Sequence, residues 1–216
     1  MPHYEVHHTC PLTLAQIDAL ASALTDLHCL LFSAPSIFVN VTFHRTQHIH
    51  KDNNGIFHTT GDTQHIRVGG RNVMTNYIIG HVRPRGPENR HKLDTLVQEI
   101  MRIWNEEARP LLEESSSRRE IEEANEDKKR VAHGSKERLG RLDDERALHN
   151  VFIMEDIVAG AEQGFTLPLA GQDAKWIEEN LAEFEQRAAA GDESMKALVS
   201  EIKDKRSKEA AGKSKL

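Results

Sequence analysis

The chain has 216 residues, room for one domain with an insertion and a tail, and enough to bury a core. Its 28 Lys and Arg against 34 Asp and Glu give a net charge of −6, so no basic field holds a nucleic-acid backbone and no nucleic-acid partner is expected. Cys10 and Cys29 are too few for a disulfide scaffold, which points to a reducing intracellular compartment; no apolar run approaches the roughly 20 residues that cross a bilayer, and no secretory signal is expected.

The alternation in His3–His8 predicts a strand with Tyr4 and Val6 on one face and His3, Glu5 and His7 on the other. Thr13 with Gln16 has the form of a capping box, in which each side chain satisfies a backbone N–H of the other, and opens a helix. Leu14, Ile17, Ala21, Leu24 and Leu31 recur at helical spacing as its expected buried stripe, and His28 falls on that stripe. Ile37, Val39, Val41 and Phe43 alternate with polar or aromatic neighbours as a second strand, so residues 3 to 44 read as a βαβ unit.

Residues 46 to 75 are rich in Gly, Asn, Thr and His, and turn signals at Asn53-Asn54-Gly55 and Gly69-Gly70 predict hairpins. Asn76 to Val82 reads as a strand, and Leu93, Leu96, Ile100, Ile103 and Trp104 as the apolar face of a second helix. A further strand at 150–154 completes a second βαβ unit. It is interrupted from about 106 to 146 by a segment, about half of it charged, with too little apolar content for its own core. A helix containing Trp176 and Phe184 and a Lys- and Ala-rich helix or tail follow. The last residues, Ser214, Lys215 and Leu216, form a carboxyl-terminal peroxisomal address, read by an import receptor.

Pro2 follows the initiator, and removal of Met1 would leave a secondary amine at the chain start. Such an amine titrates near pH 8 when exposed and lower when buried or beside cations, so it can act as base, acid or nucleophile near neutrality. Among the 13 histidines, His48-x-His50 with His44 is the best metal cluster, but it lacks a third ligand at a recognisable spacing; no metal and no cofactor are expected.

Met-Pro before a short strand, a capped helix ending Thr25-Asp26-Leu27-His28, the strand Phe38-Val39-Asn40-Val41, the segment Ala161-Glu162-Gln163-Gly164-Phe165-Thr166-Leu167-Pro168 and the later Trp176 together resemble the tautomerase superfamily. Within it they resemble the cis-3-chloroacrylic acid dehalogenase-like, fungal oxalocrotonate tautomerase-like branch. The resemblance spans about residues 2 to 105 and 148 to 180 and implies an α+β fold of two β-α-β units with helices packed on one sheet. The tautomerase-like domain is expected over 2–180, with the insertion at 106–146, and a helical or flexible tail over 181–216.

By that resemblance the chain is a tautomerase or isomerase of a small 2-oxo or α,β-unsaturated carboxylate, with Pro2 as general base and acid. His28 and Arg83 hold the substrate carboxylate, together with either Arg85 or Arg90. Two guanidiniums suit the role because they bind a carboxylate bidentately and lower the pKa of a nearby amine. Glu162 matches a water-activating glutamate, which would make the chain a hydratase or dehalogenase; a decarboxylase is a further variant. Phe152 stands where the family has a tyrosine and cannot donate a hydrogen bond, which weakens the hydrolytic reading. The resemblance also implies a homotrimer. A non-catalytic binding protein that uses the charged insertion is the alternative from another class.

Overall fold

Alternation in His3–His8 produces β1, whose Tyr4 and Val6 are fully buried on one face. The computed structural model describes residues 2–46, 50–51, 57–58, 66–110 and 141–213. Asn53-Asn54-Gly55, His48, most of the charged insertion and Ser214-Lys215-Leu216 lie outside these residues. Helix α1 (Leu14–Phe32) starts on the expected capping box, with both reciprocal hydrogen bonds between Thr13 and Gln16 present. It leads through a 3-10 turn at Ser36–Phe38 into β2 (Asn40–Arg45), three residues later than the alternation suggested.

Two small hairpins follow. β3 (His50–Lys51) pairs with β4 (Phe57–His58), and β5 (Ile66–Val68) pairs with β6 (Arg71–Val73) through Gly69 and Gly70. Both glycines have positive φ, the backbone geometry that such a two-residue hairpin needs. The second βαβ unit is β7 (Asn76–His81), α2 (Arg90–Ile103) and β8 (Leu148–Met154). β1 runs parallel to β2 and antiparallel to β7, and β7 runs parallel to β8. The order is β2-β1-β7-β8, with α1 and α2 on one face, so the fold is α+β as expected.

The core lies between that face and the helices, around Tyr4, Leu20, Leu24, Ile78, Leu96, Ile100 and Trp104. The buried stripe of α1 is rotated from the expected one: Gln16, Leu20, Leu24, Leu27, His28 and Phe32 face inward, whereas Leu14 is 79% exposed. Gln16 turns inward because its amide donates to the carbonyls of Glu107, Ala108 and Pro110. By length and composition α1 is also apolar enough to cross a membrane, contrary to the reading from apolar runs, and here it packs on the sheet. Asn76, fully buried, accepts from the Thr9 and Cys10 N–H groups and donates to the carbonyls of Glu145 and Ala147, so its polar atoms are satisfied.

Residues 173–213 are mostly helical. α3 (Asp173–Ala189) runs through the boundary expected at residue 181 and pairs with α4 (Glu193–Lys213). Phe165, Trp176, Phe184, Met195, Leu198, Val199 and Ile202 form a second core that receives Phe38. The Glu201 carboxylate accepts from the backbone N–H and hydroxyl of Ser36, fastening α4 to the turn before β2.

Candidate active site

Topology brings the chemistry to one end of the sheet. Because β1 and β2 are parallel and α1 connects them, the end of α1 lies by the start of β1; because β7 is antiparallel to β1, the end of β7 arrives there too. Pro2, His28, Arg83 and Arg85 are thereby gathered from three segments: the start of β1, the end of α1 and the stretch after β7. Pro2 is buried, and its carbonyl accepts from the Asn40 N–H at 3.2 Å.

Asn40 also carries Glu162. Its side-chain amide donates to Glu162 Oε1 at 2.7 Å. Glu162 sits on the short strand β9 (Ala161–Glu162), joined to β10 (Phe165–Thr166) by Gln163 and Gly164, both with positive φ. Arg187 of α3 donates to the Gln163 carbonyl and lies over the Phe165 ring, which holds the hairpin to the second core. Burial raises the Glu162 pKa, opposed by the charge of the amino terminus, the Asn40 hydrogen bond and Arg83.

His28 is 1% exposed. Its Nδ1 is 2.8 Å from the Tyr4 hydroxyl, and its Nε2 has no hydrogen-bond partner among the described residues. Burial, and then the charges of the amino terminus, Arg85 and Arg83, push the ring down to about 2, so it is neutral. Burial raises the Tyr4 pKa, which keeps the phenol protonated. With Tyr4 donating to Nδ1, the ring hydrogen sits on Nε2, a donor without an acceptor among the described residues. Tyr4 is the site residue that sequence reasoning missed. Its place on the core face of β1 and that of His28 on a buried stripe were both legible, but not their contact.

The three arginines separate sharply. Arg83 is buried and committed to the protein: Nη1 donates to the carbonyls of Pro168 and Leu169, and Nη2 to Asp173 Oδ1 at 2.6 Å. Its Nε and Asp173 Oδ2 are buried without partners among the described residues. Arg85 is half-buried, its guanidinium stacked 4.1 Å above the Phe32 ring, which itself packs on His28. Its Nε has no partner among the described residues, and burial with the neighbouring Arg83 charge lowers its pKa. Arg90 is exposed at the start of α2 and paired with Asp94. Of the two alternatives for the second guanidinium, Arg85 is therefore the one brought to His28. Phe152 lies on the other face of the sheet, opposite Ile79 and half exposed, so it does not reach the site within this chain.

No family model and no curated protein matches this chain. Several solved structures are similar to it. A member of the cis-3-chloroacrylic acid dehalogenase family is 16% identical over 84% of this chain and 96% of its own, with a TM-score of 0.44. A protein named Pt0534, inactivated by 2-oxo-3-pentynoate, is 14% identical over 76% and 95%, with a TM-score of 0.41. The macrophage migration inhibitory factor-like protein of Entamoeba histolytica is 10% identical over 77% and 98%, with a TM-score of 0.40.

Proposed function

We propose that the chain is a tautomerase that moves a proton on a small 2-oxo or α,β-unsaturated carboxylate, with Pro2 as base and acid after Met1 is removed. The observation that carries this reading is the convergence of Pro2, Glu162, His28 and Arg85 at one end of the sheet, with Asn40 bonded to both Pro2 and Glu162. In the reaction the neutral Pro2 nitrogen takes a proton from the carbon next to the 2-oxo group. The electron pair moves onto the carbonyl oxygen, and Pro2 returns the proton to another carbon of the conjugated system. Arg85 and the Nε2–H of His28 bind the carboxylate. Arg83 acts on the site through its charge and holds residues 168–173 in place.

The test is mass spectrometry of the amino-terminal peptide after incubation with 2-oxo-3-pentynoate, an alkyne that a nucleophilic amine attacks. A single adduct on an amino-terminal Pro2, absent from Pro2→Ala, is the expected result. A retained Met1 or an unlabelled Pro2 overturns the reading.

A second reading, water addition, is favoured by Glu162, whose raised pKa and Asn40 contact suit a base beside the amino terminus. Glu162→Gln separates the two: tautomerisation survives it and hydration does not. We propose with this function a homotrimer, to be tested by analytical ultracentrifugation, and peroxisomal import through Ser214-Lys215-Leu216. A reporter carrying the tail with and without Leu216 tests the import; cytosolic signal from the intact tail removes that proposal.

A further inference from the structure

The face of the sheet opposite the helices carries a cluster that the proton-transfer site does not use. Glu5 and His7 are two apart on β1 and so share this face, and His44 of β2 is the in-register partner of His7. One ligand atom from each of the three residues lies within 4.8 Å of the others. We propose that Glu5, His7 and His44 form a divalent transition-metal site, with zinc as its ion.

The chemistry of the donors selects the metal. Two imidazoles and a carboxylate suit zinc and its first-row neighbours, whereas calcium and magnesium take oxygen ligands. Three protein ligands leave the fourth tetrahedral position to water on this open face. His7 Nε2 is already 2.9 Å from Glu5 Oε2. A tetrahedral zinc with ordinary bond lengths needs donors about 3.3 Å apart, and because an imidazole lone pair lies in the ring plane, the exposed His44 ring turns out of its stack on His7 to bring its nitrogen to the ion. With the metal on Nε2 in place of the hydrogen that faces Glu5, the His7 ring takes the tautomer with its one hydrogen on Nδ1.

The Tyr77 ring supports His7 from the side away from His44. The His7 ring is stacked between His44 at 4.6 Å and Tyr77 at 4.4 Å. Thr42 Oγ1 is 3.3 Å from His44 Nε2, and His81 Nε2 approaches the second Glu5 oxygen at 3.8 Å. Such outer partners orient metal ligands and tune their basicity. The cluster was not legible as a motif, because its ligands come from two strands separated by α1.

The experiment titrates chelator-stripped full-length protein with Zn2+ by calorimetry, and with Co2+ by visible absorption, whose d–d bands report tetrahedral geometry. One equivalent of metal and tetrahedral cobalt bands are expected. Glu5→Gln and His44→Ala should each weaken zinc by at least about tenfold, while the pair His48→Ala with His50→Ala leaves it unchanged. Circular dichroism checks that each variant is folded. No stoichiometric uptake, uptake indifferent to Glu5→Gln and His44→Ala, or uptake weakened by the His48 and His50 changes would overturn the assignment.

Discussion

The Tyr4 hydroxyl and His28 Nδ1 are 2.8 Å apart between two buried rings that meet edge to face, 5.9 Å between centroids. Tyr4→Phe keeps the ring and leaves Nδ1 without its partner in a place water does not reach. An unsatisfied buried polar group costs about 1–3 kcal/mol. Urea unfolding of this variant should show that loss with an unchanged denaturant slope, and the nitrogen NMR signals of His28 should report a changed tautomer. Stability equal to wild type would mean that the contact contributes nothing.

Arg85 and Arg90 lie close in sequence yet in different environments, one stacked on Phe32 and the other exposed and paired with Asp94. Arg85→Ala should slow labelling by 2-oxo-3-pentynoate about tenfold or more through weaker binding, the effect of losing roughly 1.4 kcal/mol of charge-assisted hydrogen bonding. Arg90→Ala should change it less than about twofold. The reverse pattern in the concentration dependence of labelling would assign the carboxylate to Arg90.

His28 links stability to pH. Burial, chiefly, lowers its folded-state pKa to about 2, against about 6.5 for an unfolded histidine. Between these values the unfolded state binds the extra proton. This contribution is therefore present above the unfolded pKa and is lost as pH falls. From pH 7 to 5 it amounts to about 2 kcal/mol. His8, also lowered mainly by burial, acts in the same direction. The difference in urea-unfolding free energy between wild type and His28→Gln, measured across that range, isolates the His28 part. A pH-independent difference would show that His28 is not held neutral by the fold.

Gly80 faces Tyr4 across β1 and β7. A Cβ at Gly80 would stand 2.8 Å from Tyr4 Cε1 and 2.9 Å from Ile153 Cδ1. Gly80→Ala should destabilise by about 1–3 kcal/mol through overpacking and displace the Tyr4 ring from His28. Thermal unfolding and the His28 NMR signals check the two effects separately. A variant as stable as wild type would show that the Tyr4 ring shifts freely.

Arg83 and Asp173 form an ion pair 2.6 Å long, with side chains 4% and 7% exposed. Removing one partner leaves a buried charge without compensation, so Asp173→Ala should cost about 3–5 kcal/mol. Urea unfolding measures this. A small loss would mean that the Arg83 guanidinium reaches water or another acceptor.

Much of the architecture was legible because it is encoded within a few residues. The Thr13 and Gln16 capping box, the alternation of β1 and β7 and the helical spacing of Leu93, Leu96, Ile100 and Ile103 are local rules of backbone and side-chain geometry, and the structure follows them. Met195, Leu198, Val199 and Ile202 form a buried face on α4 that was not assigned from the sequence, because the partner of that face lay elsewhere in the chain. Pro2 and His28 stood out by their positions, and Arg83 and Glu162 only through the resemblance to a known family.

Their environments depended on contacts between distant segments. His28 meets Tyr4 across 24 residues, Arg83 meets Asp173 across 90, Glu162 meets Asn40 across 122, and Ser36 meets Glu201 across 165. Packing decides which face of α1 turns inward, which arginine is buried against Phe32 and which donors have protein partners. A short-range pattern determines the type of an element and the candidates it carries. The partners, and with them the charge state and chemistry of each candidate, arise only when sheet order and helix packing bring remote side chains into one low-dielectric environment.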